Sequence, residues 1–204
     1  MFKIAVLVSG GGTDLQSIID AIESGKLKNC KIETIIASKE GIYSLERAKK
    51  HGITSHVISR KEYGNGQSDK ILEIIDGKVD LIVLAGYLSI LSGEILNKFN
   101  NKIINIHPSL IPSFCGANMY GLKVHEAVIK KGVKYSGATV HFVNNEVDGG
   151  AIILQEAVPV FFEDDAKILQ DRILEKEHII LPEAIRLISE GKVKIIDGRV
   201  KIEE

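Results

Sequence analysis

Short apolar runs alternate with amphipathic segments along the first half of the chain. The run Lys3–Val8 ends in a serine and three glycines, and apolar residues then recur at helical spacing from Leu15 to Ile22. This pattern predicts a strand, a glycine turn and a helix that ends near Gly25. Val79–Ala85 is almost continuously apolar, which is typical of a strand buried on both faces of a parallel sheet. Further strands are predicted at residues 31–37, 56–58 and 103–106, and helices at residues 44–50, 68–75 and 121–131.

The pattern changes in the second half of the chain. Residues 138–143 and 151–159 are apolar runs with no long helix between them, so we expect them to form antiparallel or long-looped strands. Two helices are predicted after them, one over residues 166–180 and one from Pro182 to Glu190. The tail predicts a small hairpin around Asp197-Gly198.

Together these elements predict the fold class α/β. Alternating strands and helices favour a right-handed, mostly parallel βαβ sheet. We expect one domain over residues 1–204, with an open, twisted sheet flanked by helices and antiparallel strands in its C-terminal half. The chain is 45% hydrophobic and 26% charged, as is ordinary for a globular protein.

Charge and cysteine content narrow the classes of function and location. The net charge of −1 argues against general nucleic-acid binding, which needs an excess of Lys and Arg. Cys30 and Cys115 are far apart and suit a reducing compartment. The first strand begins close to Met1 and no apolar stretch is long enough to span a bilayer, so we expect a cytoplasmic protein without membrane partners. The six histidines form no ligand-spaced cluster, so no metal is expected.

The glycine turn is the first candidate site. Gly11, Gly12, Thr13 and Asp14 lie where the first strand feeds the first helix, and free N–H groups there favour a phosphate. Leu15 stands where a dinucleotide fingerprint needs its third glycine, and no Gly-Lys-Ser/Thr follows, so a simple phosphate ester fits better than NAD or ATP. The alternative is a tight turn in which Thr13 or Asp14 caps the helix.

The second candidate site surrounds Asn105 and His107. These residues lie two apart at the end of a predicted buried strand, where open α/β sheets bind their ligands. A carboxamide beside an imidazole can stabilise an oxyanion, and the imidazole can move a proton. Pro108 stiffens the loop that follows, and Asp148 precedes two glycines and could orient the histidine. The alternative gives Asn105, His107 and Asp148 structural roles in a loop and a turn.

These motifs resemble the phosphoribosylglycinamide formyltransferase family in the same order and from end to end. The Asn-x-His-Pro-Ser-Leu and Asp-Gly-Gly motifs are specific to folate-dependent formyltransferases and hydrolases, and the glycine turn and Glu177 narrow the resemblance to the ribonucleotide enzymes. The matching segments are Ser9–Leu15, Leu84–Leu91, Asn105–Pro112, Thr139–Val143, Val147–Gln155 and Glu177-His178.

The resemblance implies transfer of a formyl group from 10-formyltetrahydrofolate, as co-substrate, to the amine of glycinamide ribonucleotide in purine biosynthesis. The N-terminal half would bind the ribonucleotide and the C-terminal half the folate, in a monomer or weak homodimer with small-molecule partners. The implied catalytic residues are Asn105, His107 and Asp148. The implied substrate-binding residues are Gly11, Gly12, Thr13, Asp14, Pro108 and Glu177. The implied folate-binding residues are Arg60, Leu88, Ser89, Ile90, Leu91 and Asn105.

The chain departs from the family pattern at several of these positions. Asp14 stands where the family usually has Asn, Ser89 replaces a usual Arg, and Arg60 is the candidate for an expected anion-binding arginine. Phe114–Gly121 is longer than in many relatives. Two other folate enzymes are alternative interpretations, methionyl-tRNA formyltransferase and formyltetrahydrofolate hydrolase, and both carry a further domain. A third alternative is a non-catalytic sensor of nucleotide phosphates.

Overall fold

The strands of the main sheet follow the predicted apolar runs. In the computed structural model, which describes residues 1–203, they pair in the order β3-β2-β1-β4-β5-β6-β7. The first five strands are parallel to one another. β6 is antiparallel to β5, and β7 is antiparallel to β6, so the predicted fold class is confirmed. The strands are β1 (Phe2–Val8), β2 (Cys30–Ala37), β3 (Ser55–Val57), β4 (Leu81–Leu84), β5 (Ile103–His107), β6 (Tyr135–Phe142) and β7 (Ile152–Pro159).

Helices cover both faces of this sheet. They are α1 (Thr13–Glu23), α2 (Tyr43–Lys50), α3 (Arg60–Tyr63), α4 (Gln67–Ile75), α5 (Glu94–Lys98), α6 (Leu122–Lys131) and α7 (Ala166–Ser189), with a 3₁₀ turn at Gly64–Gly66. The sequence pattern did not predict α3 and α5. Each is only about one turn long, which is too short to show a hydrophobic period.

Alternation along β1 divides the core into two layers. Ile4 and Val6 point into the cluster that packs against α1, α6 and α7. Ala5 and Leu7 point into the opposite cluster, which α4 and α5 cover. Burial of the strand on both faces explains why its sequence is a continuous apolar run rather than an alternating one.

The prediction of two separate C-terminal helices is wrong. Residues 166–189 form one helix, α7, with Pro182 inside it. A proline has no N–H to continue the helical ladder, which is why it predicted a break. Here Leu181 and Pro182 are buried, and Ile173 and Ile185 on either side of them belong to the same core, so packing against the sheet holds the helix together.

The tail forms the predicted hairpin. β8 (Val193–Ile196) and β9 (Arg199–Ile202) are antiparallel, and Asp197 and Gly198 both have positive φ angles, as a two-residue hairpin turn requires. No helix within residues 1–203 is long and apolar enough to cross a membrane.

The strand order determines where a ligand can bind. The chain moves outward from β1 to β2 and β3, then crosses back to β4 on the other side of β1. The loops after β1 and β4 therefore diverge at this switch point, which opens a crevice at the carboxyl edge of the sheet. The loop after β5 borders the same crevice, and the two candidate sites lie along it.

Candidate active site

The structure brings the second candidate group together at the carboxyl end of β5. Asn105 and His107 lie on the same face of that strand, opposite His141 and Thr139 of β6. Asp148 reaches them from the turn between β6 and β7. Its Oδ2 lies 3.7 Å from Nδ1 of His107, and its Oδ1 lies 3.7 Å from Nε2 of His141. One carboxylate therefore stands between two buried imidazoles.

The surroundings of His107 determine its protonation pattern. The side chain is buried, and its Nε2 lies 3.0 Å from the carbonyl oxygen of Phe114. A carbonyl can only accept, so Nε2 carries a hydrogen and Nδ1 is left facing Asp148. A second proton on Nδ1 would be stabilised by that carboxylate. The arrangement therefore places a hydrogen-bond donor at Nε2 and a carboxylate beside Nδ1.

The turn that presents Asp148 depends on its backbone geometry. Asp148 has a positive φ angle, and its Oδ2 accepts a 2.7 Å hydrogen bond from the N–H of Gly116. A Cβ at Gly150 would overlap the carbonyl oxygen of Phe142, so only glycine lets the turn pass so close to β6. The Asp-Gly-Gly motif is thus a steric requirement for bringing the carboxylate to the histidines.

The loop after β5 is fixed by hydroxyl groups. Thr139 donates from Oγ1 to the carbonyl of Ser109 at 2.6 Å and accepts from the N–H of Ile111 at 3.2 Å. Ser109 in turn donates to the carbonyl of Ser113 at 2.6 Å. Pro108 begins this loop and is half-buried beside His107 in sequence. The candidate histidine therefore has a rigid frame on its C-terminal side.

In the glycine turn after β1, two carbonyl groups accept hydrogen bonds from side chains of α2. The Ser44 hydroxyl donates to the carbonyl of Gly10, and the Arg47 Nε donates to the carbonyl of Gly11 at 2.9 Å. Gly12 is the N-cap of α1 in a left-handed conformation, and no side chain caps the helix. The alternative in which Thr13 or Asp14 caps the helix is therefore wrong. With the carbonyls turned toward α2, the N–H groups that begin α1 remain free to bind an anion.

Asp14 forms a buried pair of acidic residues with Glu177 of α7. Both residues are buried, and Oδ1 of Asp14 lies 3.8 Å from Nε2 of His178 with neither atom hydrogen-bonded to residues 1–203. Burial raises the pKa of Asp14 to about 6. Burial, and then the negative charge of Asp14, raises the pKa of Glu177 well above its usual value. The pair therefore favours holding at least one proton.

The predicted folate residues lie in the loop after β4. Leu88 and Ile90 are exposed, whereas Leu91 is buried, so the loop presents two apolar side chains to the crevice edge and anchors a third. The N–H of Leu88 donates to Ser9 Oγ at 2.9 Å, which ties this loop to the end of β1. Ser89 is half-buried between them.

Arg60 lies apart from these residues. It begins α3, directly after β3 at the far edge of the sheet, and it is exposed. Within residues 1–203 its side chain has no recorded hydrogen bond or ion pair. Its role in anion binding stays a prediction.

Two contributors were not identified from the sequence. Arg47 holds the glycine turn through Gly11 and stacks on Tyr43 at 4.8 Å, but a lone arginine in a helix carries no motif. His141 contacts Asn105 through a cross-strand pairing. Its place in the apolar run 138–143 and its place in the matching segment Thr139–Val143 were the available signals. Within residues 1–203 no group of three His, Cys, Asp or Glu side chains is arranged to hold a metal ion.

Comparison with known proteins gives a consistent result. The family model described as formyl transferase matches residues 2–185. A phosphoribosylglycinamide formyltransferase from Haemophilus influenzae is 45% identical over 97% of this chain and 92% of its own length. A trifunctional purine biosynthetic protein adenosine-3 from Gallus gallus is 42% identical over 95% of this chain, which spans 19% of that relative's length. The crystal structure of glycinamide ribonucleotide transformylase 1 from Symbiobacterium toebii superposes with a TM-score of 0.94 at 40% identity, covering 100% of this chain and 95% of the other.

Proposed function

This chain belongs to the formyl transferase family, and we propose that it transfers the formyl group of 10-formyltetrahydrofolate to the amine of glycinamide ribonucleotide. The convergence of Asn105, His107 and Asp148 at the end of β5 carries the proposal. The relatives named phosphoribosylglycinamide formyltransferase support the choice of substrates. The products are N-formylglycinamide ribonucleotide and tetrahydrofolate.

Transfer begins with attack of the neutral substrate amine on the formyl carbon. The carbonyl π electrons move to oxygen and give a tetrahedral oxyanion. The Nδ2 group of Asn105 and the Nε2–H of His107 donate to that oxygen. In the free enzyme this Nε2–H donates to the carbonyl of Phe114, so the oxyanion takes the place of that carbonyl.

Collapse of the intermediate requires one proton to move. The attacking nitrogen loses a proton, and the folate nitrogen gains one as its bond to carbon breaks and the carbonyl re-forms. Asp148 stabilises the imidazolium form of His107 from 3.7 Å, so His107 can supply that proton and then regain it. Asp148 can relay the proton from the attacking nitrogen through water.

Two ligand regions follow from the sheet. The glycine turn, Gly11 to Asp14, would hold the phosphate, and Glu177 would hold the rest of the ribonucleotide. The turn follows β1 and the catalytic group follows β5, two strands away, which is about 10 Å at ordinary strand spacing. That distance fits a ribose and a glycinamide arm between phosphate and reacting amine.

The folate would lie against the loop after β4, a strand that lies next to β5 and its catalytic group in the sheet. Leu88 to Leu91 would read the pterin ring, chiefly through their backbone, with Asn105 and Arg60 as further contacts. The sequence prediction gave the ribonucleotide to the N-terminal half and the folate to the C-terminal half, whereas Arg60 and Leu88 to Leu91 lie in the N-terminal half and Glu177 in the C-terminal half. In this proposal both halves therefore contribute to both ligands. We also infer small-molecule partners only, a monomer or weak homodimer, and a cytoplasmic location, as the sequence predicts.

A spectrophotometric assay with a 10-formyl folate tests this function. We expect deformylation that requires glycinamide ribonucleotide in the wild type and is lost in His107→Ala. Folate consumption without the ribonucleotide would indicate a hydrolase instead. Binding of both ligands without turnover would indicate a non-catalytic sensor. His56→Ala, on the short edge strand β3, is the matched control and should keep its activity.

A further inference from the structure

We propose that His141 is a positioning residue for the formyl transfer, acting as a neutral hydrogen-bond acceptor that aims the Asn105 carboxamide at the reacting oxygen. The proposal rests on the proposed function for its catalytic consequence. The hydrogen-bond arrangement itself does not depend on that function. His141 lies on β6, directly opposite Asn105 in the antiparallel pairing with β5.

The tautomer of His141 follows from its backbone contact. Its Nδ1 lies 2.8 Å from the carbonyl oxygen of Phe142, which can only accept. Nδ1 therefore carries the hydrogen, and in the neutral ring Nε2 has a free lone pair. The side chain is only 2% exposed, so solvent does not compete for that lone pair.

The lone pair on His141 then fixes the orientation of Asn105. Nδ2 of Asn105 lies 3.2 Å from Nε2 of His141, and only the amide nitrogen can donate there. One Nδ2 hydrogen is thus used by His141, and the amide plane is set. The second Nδ2 hydrogen has no acceptor recorded within residues 1–203, and Asn105 is half-buried at the crevice. That second hydrogen is the donor available to an oxyanion.

Burial is the main factor that favours the neutral form of His141. Burial lowers its pKa, and the Phe142 carbonyl and Asp148 raise it by less, while His107 lowers it further. Protonation would remove the acceptor from Asn105 and would pair Nε2 with Oδ1 of Asp148 at 3.7 Å. Asp148 would then be shared with an imidazolium other than that of His107. A neutral His141 therefore serves both catalytic partners.

Steady-state kinetics of two variants at His141 test the proposal. His141→Phe removes the acceptor while keeping an aromatic ring, and we expect kcat to fall about 10- to 100-fold, since misplacing a catalytic group by about 1 Å costs up to ~100-fold. KM for both substrates should stay within about twofold, because no ligand contact is lost. His141→Gln can accept through Oε1 and should regain most of the lost kcat. Equal losses in both variants, or unchanged kcat in His141→Phe, would overturn the proposal.

A double-mutant cycle separates positioning from general support of the fold. In an Asn105→Ala background, His141→Phe should change the residual kcat by less than about twofold, because its target is already absent. A loss of the same size in both backgrounds would contradict the proposal. His56→Phe, a partly buried histidine on β3, is the control and should leave kcat unchanged.

Nitrogen-15 NMR of the wild type tests the hydrogen bond without any substitution. We expect His141 to show a protonated Nδ1 and an unprotonated Nε2 at neutral pH, with a scalar coupling from Nε2 to the Asn105 side-chain nitrogen. A protonated Nε2 would refute the assignment even if the enzyme transfers formyl groups. Conversely, an inactive enzyme that shows this coupling would refute the proposed function and leave the hydrogen bond in place.

Discussion

The carboxylate of Asp148 lies 3.7 Å from Nδ1 of His107, and the N–H of Gly116 holds it there through a 2.7 Å hydrogen bond. Because Nε2 of His107 already donates to Phe114, a proton added to the ring goes to the nitrogen that faces Asp148. In the proposed transfer, Asp148 is therefore the group that stabilises this added proton.

Replacing Asp148 by Asn should remove this stabilisation with little change in shape. We expect kcat to fall by about 10²- to 10⁴-fold, the ordinary range for losing general acid–base support. Measured KM values should change much less, because Asp148 makes no proposed ligand contact. Asp165→Asn is the matched control: that side chain caps α7 through the N–H of Ile168, so kcat should be unchanged. A kcat within threefold of wild type in Asp148→Asn would contradict the role given to the carboxylate.

Gly150→Ala should disable the enzyme without touching a catalytic side chain. The added methyl group overlaps the Phe142 carbonyl, so the turn must shift and carry Asp148 away from His107. We expect a loss of about 1–3 kcal/mol in the free energy of unfolding, as for other overpacked sites, together with a large fall in kcat. Denaturant unfolding and initial rates measure the two effects. Gly66→Ala, where a Cβ meets nothing within 4 Å and φ is −80°, should change neither quantity appreciably.

Arg47→Ala tests the proposed phosphate site at the glycine turn. Arg47 holds the carbonyl of Gly11, so its loss should loosen the N–H groups that begin α1. We expect KM for glycinamide ribonucleotide to rise about tenfold, equivalent to about 1.4 kcal/mol, while KM for the folate stays unchanged. Lys50→Ala on the same helix is exposed and serves as the control. An equal rise in the KM values for the ribonucleotide and the folate would contradict a specific role of Arg47 in phosphate binding.

Asp14→Asn should change how stability depends on pH. Burial raises the pKa of Asp14 to about 6, so the folded state holds its proton more tightly than the unfolded state does. The stability from that proton is present below about pH 4 and is lost as the pH rises through 6. An uncharged Asn avoids this loss. As the pH rises from 4 to 7, the free energy of unfolding of the variant should therefore increase relative to that of the wild type by about 1–3 kcal/mol. Thermal unfolding at pH 4.5 and 8 measures the difference, and a difference that is the same at both pH values would refute the buried-pair account.

Much of the fold was predictable because hydrophobic periodicity records burial directly. Val79–Ala85 reads as a buried strand, and Leu81–Leu84 is one. The helix break predicted at Pro182 is absent, because packing on both sides of the proline overrides its local preference to end a helix. Hydrophobic periodicity does not show whether tertiary packing will stabilise a helix across a proline.

The candidate site was predictable only in part. Asn105 and His107 are two apart on one strand, so their proximity is local. Asp148 lies in a distant turn, and its two following glycines indicated only that its carboxylate could orient the histidine. The contribution of His141 depends on the cross-strand register, which places it opposite Asn105. The orientation of Asp14 toward Glu177 depends on how α7 packs on α1, and no short segment of sequence encodes that.

In the proposed reaction, the formyl carbon passes from the folate to the ribonucleotide amine. Carbon-13 NMR with 10-[¹³C]formyltetrahydrofolate and glycinamide ribonucleotide follows that atom directly. We expect the label to appear in N-formylglycinamide ribonucleotide, at a rate that falls with His107→Ala. Label released as free formate, with or without the ribonucleotide present, would contradict it.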